Sequence, residues 1–553
     1  MKWYTKEGMN HLLSELTGIP SISGTKAEAE YMQYLYNILT NLKYFRENAE
    51  NLKLHPVKND PLGRTFLTAL VKGKIPSKKT VILLSHGDVV DVKDYGSYMD
   101  LAFKPFELTE SINPSSLPGN AKKDYEEGTW LFGRGTMDMK AGTVLQIGLI
   151  QQWIDTLDTR EGNLLLLVVP DEESNSAGMI SAAETLIDLA QKHDLEYLVG
   201  IDSEPQFPNY PGDDNNYIYV GSLGKIIALI YCAGKETHVG ESLAGLNPNL
   251  LMSEVTRLIE INVDLSDAAE GEITPPPTSL KMKDLKDLYS AQIPTSAAAY
   301  FNILTVSRSP KEIYKQIYEL CVRAFENALE RFTINKNRYI EMSGKEPSPI
   351  EWKPKVFSYK ELYDMALRAH GSKFRDHMAD FIENITRNSE MDERELNIQI
   401  IKEVHKFCPD RDPMIIISFA PPYYPHLTIR KGKPKDNIVM EVARDVIRKA
   451  REDFGEDLTL QKFFKGLSDM SYFALHDAEE VISYLQPNIP SWGIRYSIPV
   501  EAIKKLDLPV LNIGPYGKDA HKFTERLHLP YWHNVAPQLL KFAVEEILRR
   551  NMD

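Results

Sequence analysis

The sequence predicts an α/β catalytic domain on a mostly parallel central sheet, with an inserted α+β, ferredoxin-like domain enlarged by a helical segment. Three observations carry this. Apolar strand-like runs alternate with helical patterns up to about residue 205; the alternation breaks at a polar connector, Pro211 to Asn216, and returns from about Asn437; and four apolar runs end in His or carboxylate.

Met9 to Leu16 and Lys26 to Leu42 place apolar residues at helical intervals on either side of a Gly18-Ile19-Pro20-Ser21 break. Phe66–Val71, Val81–Leu84, Leu164–Val169 and Tyr197–Ile201 read as buried strands, with a helix from about Met139 to Leu157 among them. Past the connector, Tyr217 to Cys232 is rich in β-formers, and Asn247-Pro248-Asn249 opens a helix to about Ile261. After the Thr274-Pro275-Pro276-Pro277 break come a strand over Ala297–Ser307 and a helix behind Ser309-Pro310. This β-α-β-α order suggests a small α+β insertion. Residues from about 333 to 411 read as mainly helical, over Tyr359–Arg368, Phe374–Ile385 and Arg394–Phe407, followed by a strand at Met414–Phe419. An apolar helical stripe (Ile438, Val439, Val442, Val446, Ile447) and a strand at Leu508–Ile513 then resume the first pattern. The expected division is thus 1–210 with 431–553 as one catalytic domain, and 211–430 as the insert.

Composition narrows the function. With 553 residues, 43% hydrophobic, the chain can bury a large core, and 31 Gly and 33 Pro exclude collagen-like and low-complexity classes. A net charge of −14 leaves no electrostatic footprint for nucleic acid or an anionic membrane. No apolar run approaches the ~18 residues of a membrane span, and Met1 to Glu7 lacks an apolar signal segment, so a cytoplasmic location is expected. Cys232, Cys321 and Cys408 are too few and too scattered for a disulfide framework or a cysteine zinc site. Gly-x-Ser-x-Gly, His-Glu-x-x-His, phosphate-loop and dinucleotide motifs are absent.

The chemistry gathers where strands stop. Val81–Leu84 leads to Ser85-His86-Gly87-Asp88, Leu164–Val169 to Asp171-Glu172-Glu173, Tyr197–Ile201 to Asp202-Ser203-Glu204, and Val510–Ile513 towards His521; Asp138 sits in Gly133-Arg134-Gly135-Thr136-Met137-Asp138 ahead of a helix. Open α/β sheets place ligands at these carboxyl ends. Two His with carboxylates and no Cys suit Zn, with Mn or Co as alternatives, and one bridging carboxylate can hold two ions about 3.5–4 Å apart. Adjacent acids such as Glu172-Glu173 suit divided roles, one ligating and one moving a proton.

Ser85-His86-Gly87-Asp88, Gly133 to Gly142, Asp171-Glu172-Glu173 with Ser176-Ala177-Gly178, and Asp202 with Glu204-Pro205 resemble the co-catalytic zinc aminoacylase and carboxypeptidase family, which includes acetylornithine deacetylase and succinyl-diaminopimelate desuccinylase. The resemblance extends to Ile19 to Gly24 with Glu28, to Gly466-Leu467-Ser468-Asp469, and to His521 with Glu525. It implies that one metal is held by His86, Asp138 and Asp202, the other by Asp138, Glu173 and His521, with Asp138 bridging. It further implies that Asp88 orients the His86 imidazole, Glu172 is the general base, a cis peptide follows Asp138, and His238 steadies the oxyanion. His238 reaches across a homodimer in some relatives and acts within one chain in longer monomeric ones; both routes are open here. A narrower resemblance to the family's long arginine-utilisation members implies arginine or ornithine metabolism.

The expected function is therefore hydrolysis of an amide or peptide bond in a small amino-acid-derived substrate, an N-acyl amino acid or a dipeptide. The alternative is a catalytically inactive metal-dependent binding or regulatory protein on the same fold, which would have no use for a non-ligating Glu172. The insert departs from the family: where many relatives carry Asp-x-Arg, the chain reads Asn302-Ile303-Leu304, with Arg308 displaced. Arg308, Arg495 and Asn247 are the candidates for substrate contact, the two arginines as carboxylate clamps.

Overall fold

The computed structural model describes residues 1–210, 212–213, 215–346, 349–387 and 391–550, so residues 211 and 214 of the expected connector lie outside the described residues. The chain divides into two compact units, residues 1–223 with 425–476 and 499–553, and residues 224–424 with 477–498. Among the described residues no helix is long and apolar enough to cross a membrane.

The first unit is built on an eight-stranded sheet, in spatial order Leu52–Pro56, Thr65–Lys72, Glu161–Val169, Ile75–His86, Glu196–Asp202, Val510–Asn512, Asn216–Tyr219 and Leu458–Gln461. The four middle strands, from Glu161–Val169 to Val510–Asn512, are mutually parallel. They read as near-continuous apolar runs because both faces are covered, as parallel sheets require. On one face Val81, Leu83, Leu164, Leu166 and Ile201 pack in a core with Val144, Ile147 and Ile150 of the helix Ala141–Asp155, and with Leu540, Val544 and Ile547 near the C-terminus. Asn216–Tyr219, read from the sequence as part of the insert, pairs in this sheet with Val510–Asn512 and Leu458–Gln461. A short three-stranded sheet, Gly517–Lys518, Arg526–His528 and Trp130–Phe132, carries the hairpin that presents His521.

The second unit has a five-stranded sheet in the order Thr278–Asp284, Ser296–Thr305, Gly224–Ala233, Met414–Tyr424, Val356–Ser358. The first four strands are antiparallel, with the helices Pro248–Ile259 and Pro310–Met342 as crossovers, which is the ferredoxin-like order. Both helices begin where the sequence signals them: Asn247 caps the first, and Ser309 with Glu312 forms a capping box on the second. The enlargement has a packing role. Ile227, Leu229, Tyr231 and Ile416 alternate onto one sheet face and share a core with Leu362, Phe374, Leu396 and Val404 of the helices Tyr359–His370, Ser372–Thr386 and Glu393–Lys406. The crossover helices take the opposite face, so the added segment buries a surface that would otherwise meet water.

Candidate metal centre

Sheet register assembles the site. His86 pairs with Val169, Leu84 with Asp202, and Asp202 with Asn512, so the turns after four parallel strands open at one edge of the sheet. Continuing the Leu84–Asp202 register by two residues brings Glu204 beside His86. His86 Nε2 lies 3.5 Å from Glu204 Oε1, 3.4 Å from Asp138 Oδ1 and 3.9 Å from Glu172 Oε2. His521 Nε2 lies 3.1 Å from Asp138 Oδ2 and 3.0 Å from Glu173 Oε1. Asp138 thus turns one oxygen to each histidine, the arrangement a bridging carboxylate needs.

The turn bearing Asp138 is held rigidly. Gly135 takes φ +75°, open to glycine, and a Cβ on Gly142 would lie 2.1 Å from the Ser203 carbonyl oxygen, so the helix start approaches the neighbouring strand end as closely as backbone allows. The Asp138–Met139 peptide is cis, as the resemblance implies. Lys140, fully buried, donates to the carbonyls of Leu16 (3.0 Å) and Ile19 (2.8 Å), and burial lowers its pKa to about 7. The buried Glu525 accepts from the amides of Met137 (3.3 Å) and Asp138 (3.5 Å) and from Arg134 Nη1 (2.7 Å), which ties this turn to the His521 hairpin. In that hairpin Asp519 Oδ2 accepts from Thr524 Oγ1 (3.0 Å) and Arg526 Nη1 (2.6 Å), and His521 has φ +64°.

One residue stands differently from the expectation. Asp202 was expected to ligate. It shares a sheet face with Gly200, which packs on Phe473, and so meets the 468–473 segment: its Oδ2 accepts from Ser468 Oγ (2.8 Å) and its Oδ1 from the Ser203 amide (2.8 Å). Glu204 takes the place beside His86. His86 Nδ1 lies 3.0 Å from the Asp88 main-chain carbonyl oxygen and 3.6 Å from its carboxylate Oδ1, and the same carboxylate accepts from the amides of Glu172 and Glu173, both at 3.1 Å. Asp88 therefore aims the Glu172-Glu173 turn. Glu204 was signalled by its parity with Asp202 along an extended chain and by Pro205 closing the strand.

The donor chemistry fits divalent cations. His86, Glu172 and Glu204 offer ligand atoms within 4.8 Å of one another, as do His86, Asp138 and Glu173. Ligands at ~2.0–2.2 Å from a tetrahedral ion are roughly 3.3–3.6 Å apart, close to the spacings around His86. Burial, with neighbouring acids adding to it, raises the pKa of Glu172, Glu173 and Glu204, and lifts Asp202 to about 7. Burial disfavours the His521 imidazolium, yet Asp138 and Glu173 raise its pKa to about 11. So dense a buried acidic cluster is satisfied by added positive charge.

The remaining expected residues lie in the second unit. His238 is exposed, and its Nδ1 accepts from the Gly240 amide (3.1 Å), which leaves the ring proton on Nε2. Asn247 Oδ1 accepts from the Asn249 amide (2.9 Å) as a helix cap. Arg308 Nη1 donates to the Leu265 carbonyl (3.1 Å) and Gln316 (3.2 Å), and Arg495 Nε pairs with Glu393 Oε1 at 2.7 Å. These local partners hold the last three side chains, while Arg495 Nη1 is buried with no hydrogen-bond partner among the described residues.

With a doubly wound unit, a ferredoxin-like unit and paired histidine–carboxylate clusters at the strand ends, the molecule has the form of a metallohydrolase. The chain belongs to peptidase family M20/M25/M40, whose model matches residues 82–511. It is 39% identical over 554 residues to the uncharacterized protein YqjN of Bacillus subtilis (strain 168), covering 100% of the chain and 98% of that protein. It is 31% identical over 543 residues to protein RocB of the same organism, covering 98% of the chain and 95% of RocB. Among solved structures, an M20 family metallo-carboxypeptidase, Sso-CP2 of Sulfolobus solfataricus, superposes with a TM-score of 0.52 at 13% identity, covering 97% of the chain and 99% of that protein, a likeness of fold. Family membership makes the chain a metal-dependent hydrolase of the peptidase and amidohydrolase kind.

Proposed function

We propose that the protein hydrolyses an amide or peptide bond in a small amino-acid-derived substrate, an N-acyl amino acid or a dipeptide, with two divalent ions, Zn in the first place and Mn or Co as alternatives. The observation that carries this is Asp138, whose two oxygens face His86 and His521 at 3.4 and 3.1 Å. His86, Asp138 and Glu204 would hold one ion, and Asp138, Glu173 and His521 the other. When bound, the ions supply the Lewis acidity that polarises the scissile carbonyl and acidifies a water.

The rest falls to the chain's own groups. Glu172 is buried beside the ligands, with its backbone amide fixed by Asp88, so its carboxylate is placed to accept a proton from the attacking water. It then delivers that proton to the departing amine nitrogen. His238, with its proton on Nε2, is the donor assigned to the developing oxyanion, a role supported by the sequence resemblance. A place in arginine or ornithine utilisation is supported by the narrower resemblance. The test is hydrolysis of a panel of N-acyl amino acids and dipeptides by metal-reconstituted protein: release of amine from members of either set supports the reading, and no release from any contradicts it.

A further inference from the structure

The turn that carries Glu172 and Glu173 is gripped from two sides, by Asp88 and by a group that the proposed chemistry does not use. Arg64 ends the hairpin loop between Leu52–Pro56 and Thr65–Lys72. Its guanidinium is buried and spans three carboxylates, one in its own loop and two from distant parts of the first unit: Nη1 donates to Asp171 Oδ1 (2.6 Å) and Glu28 Oε1 (3.0 Å), and Nη2 and Nε donate to Asp60 Oδ1 (2.8 and 3.1 Å). Asp60 Oδ2 also accepts from the Arg64 amide (2.6 Å), so the loop presents the side chain in a fixed pose. Glu28 completes the clamp. Its Oε2 accepts from the Asp171 amide (2.8 Å), and its Oε1 from the Gly24 amide (2.8 Å).

What the clamp holds is unusual backbone. Asp171 has φ +71° and Ser176 φ +53°, left-handed positions for residues other than glycine, and the Asp171 carbonyl accepts from the amides of Asn175 (3.1 Å) and Ser176 (2.7 Å). Glu172 and Glu173 follow Asp171 directly, so their aim depends on that turn keeping its shape. Lysine could not replace the fork: an ammonium is a point charge, whereas the planar guanidinium meets three acceptors in one fixed geometry.

We infer that Arg64 is a positioning residue that, through Asp171 and Glu28, sets the aim of the proposed base Glu172 and of the proposed ligand Glu173. Its effect on turnover rests on the hydrolase reading; its effect on the ions does not.

The experiment uses full-length protein reconstituted with cobalt(II), comparing wild type, Arg64→Lys and Arg64→Met. It reads the visible absorption of the bound cobalt, the two affinities by chelator competition, and kcat and KM on the amide panel. The expected result is an altered cobalt spectrum, a ~10–100-fold loss of affinity for one ion, and a fall in kcat with KM little changed. An unchanged spectrum with unchanged affinities, whether or not the melting temperature drops, overturns the assignment and leaves Arg64 a stabilising ion pair. Should the arginine variants fail to fold, Asp171→Asn, which weakens the same link at constant size, faces the same two results. Wild type that binds two cobalt ions but cleaves no amide defeats the hydrolase reading, while spectrum and affinities still judge Arg64; wild type that binds none defeats both.

Discussion

Glu204 Oε1 stands 3.5 Å from His86 Nε2, because parallel strands paired at Leu84 and Asp202 keep step two residues further on. Asp202, one face-repeat earlier, has both oxygens taken by Ser468 and Ser203. Glu204→Ala is therefore expected to bind one ion fewer per chain than wild type, whereas Asp202→Asn keeps two. Metal analysis after dialysis checks this. The reverse pattern would return the ligand role to Asp202.

Asp138→Ala should weaken both ions together, since the same carboxylate faces His86 and His521. Titration of metal-free protein is the measurement. Full retention of two tightly bound ions would exclude a bridge.

His238→Ala should lower kcat by ~10²–10³, the usual cost of one oxyanion donor, with metal content unchanged. Steady-state kinetics and metal analysis on the same preparation decide it; wild-type turnover would remove His238 from the reaction.

Without metal, the site should lose stability as pH rises. Burial lifts Asp202 and Glu525 to about 7, and Asp469 and Glu28 to about 8. These folded-state values lie above the ~4 of an unfolded carboxylate, so the folded chain holds more protons in between; the contribution is complete below ~4 and is lost through pH 7 to 8. His405 and His533, which burial lowers to about 4, act in the opposite sense only up to ~6.5. Lys140, lowered by burial to about 7, opposes the trend but is one group against four. The melting temperature of metal-free protein should fall between pH 6.5 and 8. Zinc should raise it more at pH 8 than at pH 6.5, because ligands bind when deprotonated. A melting temperature that climbs across that interval in metal-free protein would contradict this.

Much of the fold was legible because its signals are local. Val81–Leu84, Leu164–Val169 and Tyr197–Ile201 are unbroken apolar runs stopped by ligand residues, which marks both a buried parallel sheet and its functional edge. What was not legible depends on pairing between distant segments. The choice between Asp202 and Glu204 lies in inter-strand register, and the strand Asn216–Tyr219 looks like any other until its partners are known. Residues 477–498 return to the second unit, where Asn488 accepts from Ser418 and Ser491 meets Asn397; no composition change marks that return. Arg64 is likewise a lone basic residue in the sequence, and its partners Glu28 and Asp171 lie 36 and 107 positions away.

A two-ion centre with Glu172 as a base that does not ligate is tested by measuring metal stoichiometry and amide hydrolysis together on wild type and Glu172→Ala. Two ions per chain in both proteins, with hydrolysis lost by ~10²-fold or more only in the variant, is the predicted result. Loss of an ion in Glu172→Ala would make Glu172 a ligand, and undiminished hydrolysis would contradict its role as the base.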